Sequence, residues 1–272
     1  MNVLGLTLLL IAAEPDLGLA KKMLPLYVKE AETYSLAIES APKKGLELKK
    51  EPVFEWVNPD RSNQQGAVFL WLREGRPAAL ACIFSHPHEK LPGRQIMHEL
   101  HALDPEKLLV KRSEYNQWKP EAGLARKELP DAGVPAETAG ARLLQMRRLA
   151  QEFTGFSVDR DAKRWELRLL PTPLYRYPAA KTGVVDGALY LQSIPDLVGP
   201  LEDGLLLEFQ HLLRGGLDRQ RILLDFPGVD REHLFRQAVV RVGRSQKQHE
   251  AETVHHLSST GMTLPHGSFG VD

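Results

Sequence analysis

The sequence predicts an α+β fold, with a curved antiparallel sheet and helices packed on one side of it. Three observations lead to this prediction. Apolar residues recur at helical spacing from Leu17 to Ile38, strand-like apolar segments lie between residues 52 and 103, and a second helical stripe follows Pro135. Strands joined by short turns pair antiparallel, which sets the expected direction of the sheet.

The first helix is expected to be regular from about Leu24 and Pro25 onwards. A proline is tolerated in the first turn of a helix, because its missing N–H would have had no partner there. Pro42 and Gly45 are expected to end the helix.

Four strands should follow the first helix, and the first of them is rich in β-branched and aromatic residues, which favour strands. The four are Pro52–Val57, Ala67–Leu72, Ala78–Phe84 and Ile96–Leu103. Gly75 supplies a positive φ for a tight hairpin between the second and third of them. Apolar residues occupy successive positions in both arms, so this hairpin should be covered on both faces.

The second helix should bury a stripe of Leu143, Met146, Leu149 and Phe153, with Arg142, Arg147 and Arg148 on a solvated face. Two further strands are expected after it, at Arg164–Leu169 and Ala188–Gln192, with Leu174–Tyr177 between them. We expect the tryptophans at 56, 71 and 165 to join one connected core.

A continuous apolar run, Val3–Ala13, opens the chain and stops at Glu14. As a helix it would span roughly 16 Å, about half of a bilayer's hydrocarbon core. Its length suits a signal peptide over residues 1–13, which predicts export to the periplasm or cell envelope. The alternative is a buried N-terminal segment in a cytoplasmic protein.

Aromatic residues divide the rest of the chain into two parts. All four Trp and all six Tyr lie before residue 191. Large aromatic side chains anchor cores, so we expect an α+β domain over residues 14–195. Residues 196–272 are expected to form a loosely packed or partly disordered tail.

Composition excludes some classes of partner. Lys and Arg together number 35, as do Asp and Glu, so no overall basic field is available to attract nucleic acid. No later apolar run is long enough for a transmembrane span. Cys82 is the single cysteine, and phosphate-loop motifs are absent. We therefore expect no cofactor, no nucleic acid and no transmembrane span, with an unknown small ligand or protein as partner.

Four of the ten histidines fall within sixteen residues, at His86, His88, His98 and His101. Imidazoles two apart on a strand, or three apart on a helix, share a face and could bind Zn²⁺. If Ile96–Leu103 is a strand, however, His98 and His101 point to opposite faces. The cluster is therefore weighed as candidate metal ligands against histidines on a polar loop and a solvated sheet face.

Five aromatic residues form a second candidate site, and three of them, Trp118, Tyr175 and Tyr177, lie beside prolines. The five are Trp71, Trp118, Trp165, Tyr175 and Tyr177. Exposed aromatic rings can form a ligand-binding surface, and they can equally cover the end of a sheet.

The span from Val53 to about Ser193 resembles a family of uncharacterised exported bacterial proteins. The resemblance rests on Ala67–Phe84, on Glu137–Gly155, and most specifically on WELRLLPTPLYRY at Trp165–Tyr177 followed by DGAL at Asp186–Leu189. It implies two or more further strands after Leu191, and it implies no activity, ligand or catalytic residue. The tail from Asp196 departs from the family's pattern.

The opening helix and long strands are similar, by analogy alone, to cystatin-like and NTF2-like cones. Such sheets often enclose a pocket, so the first hypothesis is a non-catalytic binding module. The alternatives are a metal-dependent hydrolase that uses the His86–His101 cluster and an envelope scaffold with no ligand pocket. Whether the protein is an enzyme is left open.

Overall fold

The computed structural model describes most of residues 15–194 and the backbone of five later strands. The described ranges are 15–88, 92–112, 120, 125–128, 134–153, 155–158, 163–179, 183–194, 205–212, 219–225, 237–240, 255–257 and 261–262. The proposed signal peptide, residues 1–13, lies outside them.

Two α-helices and one short 3₁₀ helix accompany eighteen strands in the described part of the chain. The helices are α1 (Leu17–Glu32), α2 (Ala139–Gln151) and the 3₁₀ helix Pro59–Arg61. The strands are β1 (Ser35–Ile38), β2 (Ala41–Gly45), β3 (Glu47–Asn58), β4 (Gln64–Arg73), β5 (Arg76–Pro87), β6 (Arg94–Ala102), β7 (Leu108–Lys111), β8 (Ala125–Glu128), β9 (Phe156–Val158), β10 (Arg164–Glu166), β11 (Arg168–Leu169), β12 (Tyr175–Ala179), β13 (Val184–Ser193), β14 (Leu205–Leu212), β15 (Arg219–Asp225), β16 (Gln237–Val240), β17 (His255–Leu257) and β18 (Gly261–Met262).

Helix α1 starts earlier and ends earlier than the sequence pattern predicts. Asp16 caps its N-terminus by accepting a hydrogen bond from the Leu19 N–H at 2.9 Å. Pro25 lies inside the helix at an exposed position. The helix ends at Thr33, well before Pro42, because the chain turns there into β1. The apolar spacing of the helix continues into the strand β1, and spacing alone does not distinguish this short strand from a further helical turn.

The four strands predicted between residues 52 and 103 are confirmed. They are β3 to β6, and all of them belong to the first sheet. Its order is β18-β6-β5-β4-β3, and every pairing in it is antiparallel. Glu74 and Gly75 both have positive φ, 54° and 86°, in the hairpin that joins β4 to β5. Strand β3 is one edge of this sheet, and its pairing with β4 shifts register between Lys49 and Phe54.

The two faces of the first sheet are buried against different layers. The outer face carries Phe69 and Trp71 and packs against Met23 and Tyr27 of α1. The inner face carries alternate residues, such as Leu70 and Cys82, and packs against Leu189 and Leu191 of β13. Both faces of the β4–β5 hairpin are thus covered, as predicted.

A second sheet lies against the inner face. Its order is β11-β13-β14-β15-β8, with β12 also paired to β13. Helix α2 covers its far side, where the Gln192 amide donates to the carbonyl oxygens of Ala150 and Phe153. The prediction placed both helices on one side of one sheet, whereas each of two sheets carries one helix on its outer face.

The expected single core is divided by the first sheet. Trp71 lies in the cluster under α1, and Trp56 lies in the cluster between the sheets. The prediction of one connected core for these tryptophans was therefore wrong, because side chains alternate across a strand and each face of a doubly covered sheet forms a separate layer.

Three other sequence expectations are corrected. Arg164–Leu169 is divided into β10, which pairs with β9, and β11, which pairs with β13. Arg142 does not lie on a solvated face, since its Nε donates to Asp186 at 3.0 Å, whereas Arg147 and Arg148 are exposed as expected. Residues 104–134, for which the sequence predicts a long irregular connection, contain the strands β7 and β8.

Antiparallel α+β organisation is confirmed. Two strands of the tail, β14 and β15, continue the second sheet. The remaining sheets are small, with orders β2-β1-β7 and β10-β9-β16-β17. No helix of the described residues is both long enough and apolar enough to cross a membrane.

Candidate functional site

The predicted aromatic residues lie in separate places. Trp71 is 1 % exposed and meets the Tyr34 ring edge-on, with centroids 5.9 Å apart. Tyr175 and Tyr177 are stacked, with centroids also 5.9 Å apart. The Lys163 ammonium lies 3.7 Å from the ring centroid of Trp165. Trp118 lies outside the described residues. Ligand binding by this set stays a prediction.

The four predicted histidines are also distributed over different surroundings. His98 lies on the outer face of the first sheet, and His101 lies on the inner face, as the strand alternation of β6 requires. His86 and His88 stand at the far end of β5. Among the described residues, no three His, Cys, Asp or Glu side chains are placed to hold a metal ion.

His98 belongs to a hydrogen-bonded group at the C-terminal end of α1. Its Nδ1 lies 2.9 Å from the Tyr34 hydroxyl, and its Nε2 lies 3.5 Å from Glu30 Oε2. Arg112 donates to the Tyr34 oxygen at 3.2 Å and pairs with Glu30. Because Arg112 supplies a proton to the Tyr34 oxygen, the hydroxyl is best placed to donate to Nδ1. This group joins α1 and β6 to the residue that follows β7.

On the inner face, His101 Nε2 lies 2.8 Å from Glu99 Oε1, and both residues are 4 % exposed. Cys82 stands directly opposite Glu99 across the β5–β6 pairing and is fully buried. The thiol therefore lies in the apolar layer between the two sheets, which favours a packing role.

The hairpin end of the first sheet contains a closed ion-pair group. Asp104 is fully buried and accepts hydrogen bonds from Arg76 Nη2 at 2.5 Å and from Arg73 Nη1 at 3.1 Å. Arg73 also pairs with Glu106 at 2.6 Å. The charges of this end are therefore neutralised within the fold.

The opposite end of the same sheet differs, because several buried polar atoms there have no hydrogen-bond partner. They are Trp56 Nε1, Asn58 Nδ2, Gln64 Oε1, and both amide atoms of Gln65. Buried polar groups are nearly always hydrogen-bonded in folded proteins, so a concentration of unpartnered atoms calls for a physical reason.

Strand register places three of these side chains on the inner face. Asn58 is directly opposite Gln64, and Trp56 is directly opposite Gly66. Trp56 and Asn58 are two residues apart on β3 and therefore point the same way. We call Trp56, Asn58 and Gln64 the Asn58–Gln64 site.

The hydrogen-bonding groups of the Asn58–Gln64 site have defined orientations. Asn58 Oδ1 accepts from the Arg61 N–H at 3.2 Å, which fixes the amide and leaves its Nδ2 as the unpartnered donor. Trp56 Nε1 can only donate, and Gln64 Oε1 can only accept. The site thus offers an indole N–H, an amide NH₂ and one carbonyl oxygen.

Two aromatic rings, those of Trp56 and Phe84, belong to the same inner-face cluster, and we call them the aromatic floor. The Trp56 and Phe84 rings are 6.0 Å apart and inclined at 41°. A Cβ on Gly66 would lie 2.6 Å from Phe84 Cβ and 2.9 Å from Trp56 Cε2, so only glycine lets the two rings approach the strand this closely.

A polar network on the outer face supports the same end of the sheet. Arg94 is 8 % exposed, and its guanidinium donates to Ser85 Oγ, to the Ser85 carbonyl and to the Asn63 carbonyl at 2.7 to 2.9 Å. The Tyr27 hydroxyl lies 2.7 Å from Ser85 Oγ. Burial raises the pKa of Tyr27 to about 12 and lowers the pKa of Arg94.

This network holds the turn between β3 and β4. Ser62 and Asn63 both have positive φ, 56° and 53°, which is an uncommon conformation for residues with side chains. Arg94 binds the Asn63 carbonyl, and the Asp16 N–H donates to Asn63 Oδ1 at 3.3 Å. The turn that sets Asn58 opposite Gln64 is therefore fixed from the outer face.

No protein-family model, no curated protein and no solved structure matches this chain. Membership of the exported bacterial family therefore stays a prediction.

Sequence reasoning missed the Asn58–Gln64 site. It identified Asn58-Pro59-Asp60 only as the turn that closes a strand. The available signal was an amide side chain on either side of that turn, at Asn58 and Gln64, with Trp56 two residues before the first. That signal becomes informative only once the strand register is known.

Proposed function

We propose that this protein is a non-catalytic binding module that takes a small polar ligand at the Asn58–Gln64 site. One observation carries the proposal: three side chains on one face of one sheet each present a buried hydrogen-bonding atom that has no partner. Trp56 is 5 % exposed and Asn58 is 2 % exposed, so bulk water reaches them poorly.

Energetics favour a ligand at this place. A buried donor or acceptor without a partner destabilises a folded protein by about 1–3 kcal/mol. Other buried polar groups avoid this loss of stability, since Asp104 at the hairpin end and Asp186 in the second sheet are each bound by two arginines. A ligand that hydrogen-bonds to the three unpartnered groups of the site would offset the loss there.

The environment supports binding more than bond-breaking chemistry. Catalysis by acid–base transfer needs a titratable group within hydrogen-bond reach of the reacting atom. Trp56, Asn58 and Gln64 do not titrate near neutral pH. On the same inner face, Glu99 bonds to His101 through Oε1 and keeps a buried Oε2 without a partner, but the two residues lie further along β6, opposite Cys82 and Leu80.

We also propose a cellular location and a family for this protein, as the sequence predicts them. We infer a protein exported to the periplasm or cell envelope through residues 1–13 and related to the uncharacterised exported family that it resembles. A curved first sheet, similar to cystatin-like or NTF2-like cones, is part of the same proposal.

Mass spectrometry of protein secreted by a bacterial host would test export, with a new N-terminus near residue 14 as the expected result.

A ligand-observed NMR screen would test the binding role. The full chain would be screened against a library of small polar compounds, in parallel with Asn58→Ala and Gln64→Leu variants. We expect at least one compound whose saturation-transfer signal disappears in both variants. Gln151→Ala, at an exposed amide on α2, is the matched control and should leave the signal unchanged.

Two results would contradict the binding role at this site. Binding that persists in both variants would place the ligand elsewhere, and absence of any binder would favour a scaffold. Metal analysis of the same sample separates the hydrolase alternative. Stoichiometric zinc that is lost on His88→Ala would favour an enzyme built on the His86–His101 cluster.

A further inference from the structure

We infer that the ligand of the Asn58–Gln64 site is an uncharged molecule that both donates and accepts hydrogen bonds, and therefore carries a carboxamide or hydroxyl groups. This inference rests on the proposed function and adds the chemical class of the ligand. It follows from the hydrogen-bonding groups of the site, the charges around it and its aromatic floor.

The hydrogen-bonding groups require a ligand of mixed character. Trp56 Nε1 and Asn58 Nδ2 are donors and need acceptor atoms, whereas Gln64 Oε1 needs a donor. A carboxylate has acceptors only and would face the Gln64 oxygen with like partial charge. An ammonium or amidinium group has donors only and would leave both nitrogens unpartnered. A carboxamide or a pair of hydroxyl groups supplies both.

The charges near the site do not favour an ion. Asp60 and Arg61 of the adjoining turn have opposite signs, so together they contribute no net charge. The Arg94 guanidinium bonds to Ser85 and Asn63 at the outer face, on the other side of the sheet. A charged ligand would lose its hydration without gaining a counter-ion.

The floor of the site suits the apolar part of such a molecule. The Trp56 and Phe84 rings lie 6.0 Å apart, from centroid to centroid, on the same inner face as the polar groups. Flat carboxamides and the C–H surfaces of polyols pack well on aromatic rings, while their polar atoms remain at the edge for hydrogen bonding.

A set of probes with one shape and three charges tests the inference. Acetamide, acetate and acetamidinium have the same size, and glycerol represents the hydroxyl-bearing class. Each would be titrated into the ¹⁵N-labelled full chain while the Trp56 indole N–H signal is followed, its assignment secured by Trp56→Phe. We expect saturable shifts with acetamide or glycerol and at least tenfold weaker binding of acetate and acetamidinium. Comparison of the affinities for acetamide and for glycerol shows whether the site prefers a carboxamide or hydroxyl groups.

A charge-switch variant sharpens the test. Gln64→Glu replaces the acceptor amide by a carboxylate of equal size, so acetamidinium should become the preferred probe by tenfold or more. Gln64→Leu should abolish the preference for acetamide over acetate and serves where the glutamate variant does not fold. Asp60→Asn, an exposed residue of the turn, is the control and should not alter the ranking.

The outcomes separate the two claims. Preferred binding of acetate to the wild type would overturn the uncharged class but support the binding site, since it would mean that Gln64 presents its nitrogen. An unchanged ranking in Gln64→Glu would also overturn it. If no probe shifts the Trp56 signal and a crystal structure shows ordered water alone on the three groups, both the uncharged ligand class and the proposed binding function are refuted.

Discussion

Asp104 lies at the hairpin end of the first sheet and is bound by two arginines, whereas Asn58 and Gln64 at the opposite end each keep a buried polar atom without a partner. Strands β4 and β5 run from one end to the other, so both groups belong to the same sheet. It shows that burial alone does not identify a functional group. Buried groups that are paired hold the strands together, whereas the unpaired groups of the Asn58–Gln64 site are those at which we propose that a ligand binds.

The largest effect is expected at the paired end. Asp104→Ala removes a fully buried carboxylate and leaves the Arg76 guanidinium buried without its counter-ion. We expect the free energy of unfolding to fall by about 3–5 kcal/mol, the usual result of breaking a buried pair from one side. Urea unfolding followed by far-UV circular dichroism measures it.

The control for Asp104→Ala is Lys44→Ala, which breaks the surface pair between Lys44 and Glu74. The Lys44 side chain is 71 % exposed, so this loss should be about 0–1 kcal/mol. Equal losses of unfolding free energy in the two variants would show that burial does not strengthen the contribution of the Asp104 ion pairs to stability.

A second effect tests the packing under the unpaired end. Gly66→Ala places a methyl group within 2.9 Å of Trp56, Phe84 and the Ile83 carbonyl oxygen. Overpacking of this kind costs about 1–3 kcal/mol, measured as a lower urea midpoint. Gly140→Ala in α2 meets nothing within 4 Å and should be neutral or slightly stabilising. A tolerated Gly66→Ala would mean that the aromatic floor is looser than the structure describes.

A smaller effect comes from a paired carboxylate in the second sheet. Burial alone would raise the pKa of Asp186, but hydrogen bonds from Arg176 and Arg142 outweigh burial and lower it. A carboxyl group whose pKa is lower in the folded state stabilises the fold above its unfolded-state pKa of about 3.9. That stabilisation is lost as pH falls through the lower, folded-state pKa.

Comparison of unfolding at pH 7 and at pH 3 measures this contribution. The wild type should lose more stability on acidification than Asp186→Asn, whose amide cannot take up the proton. Asp60→Asn, at an exposed position, should behave like the wild type. An Asp186→Asn variant with the full acid-dependent loss would argue against the arginine pairing.

The smallest effect is expected at the unpaired end itself. Gln64→Leu removes a buried amide oxygen that has no partner, so the ligand-free protein should gain about 1 kcal/mol, the low end of the expected range because the Gln64 side chain is only half-buried. Differential scanning calorimetry would show a slightly raised midpoint. A loss of 2 kcal/mol or more would reveal that Gln64 stabilises the fold in the same way as Asp104.

Much of the first sheet was predictable from the sequence. Segments such as Ala67–Leu72 and Ala78–Phe84 are apolar at every position, which distinguishes a doubly covered strand from a half-exposed one. The placement of His98 and His101 on opposite faces followed from the same alternation. Local pattern sufficed because each conclusion depended on one strand at a time.

The second sheet and the Asn58–Gln64 site depend on contacts between distant segments. Leu189 of β13 packs on Leu70 of β4, and nothing near either residue in sequence indicates that pairing. Arg142 resembled a solvated side chain until Asp186 was placed beside it. The end of α1 was missed for another reason, since Tyr34 to Ile38 preserves an apolar pattern that a strand satisfies equally well.

Strand β3 forms an edge of the first sheet, and its composition has a consequence for behaviour at high concentration. Lys49, Lys50 and Glu51 place charges along this edge, Pro52 lacks an N–H to donate, and the pairing shifts register in the same stretch. A strand from another molecule could not form a continuous ladder there. We therefore expect the protein to resist fibril formation through this edge, and replacement of Pro52 and Lys50 by threonine to make it prone to aggregate.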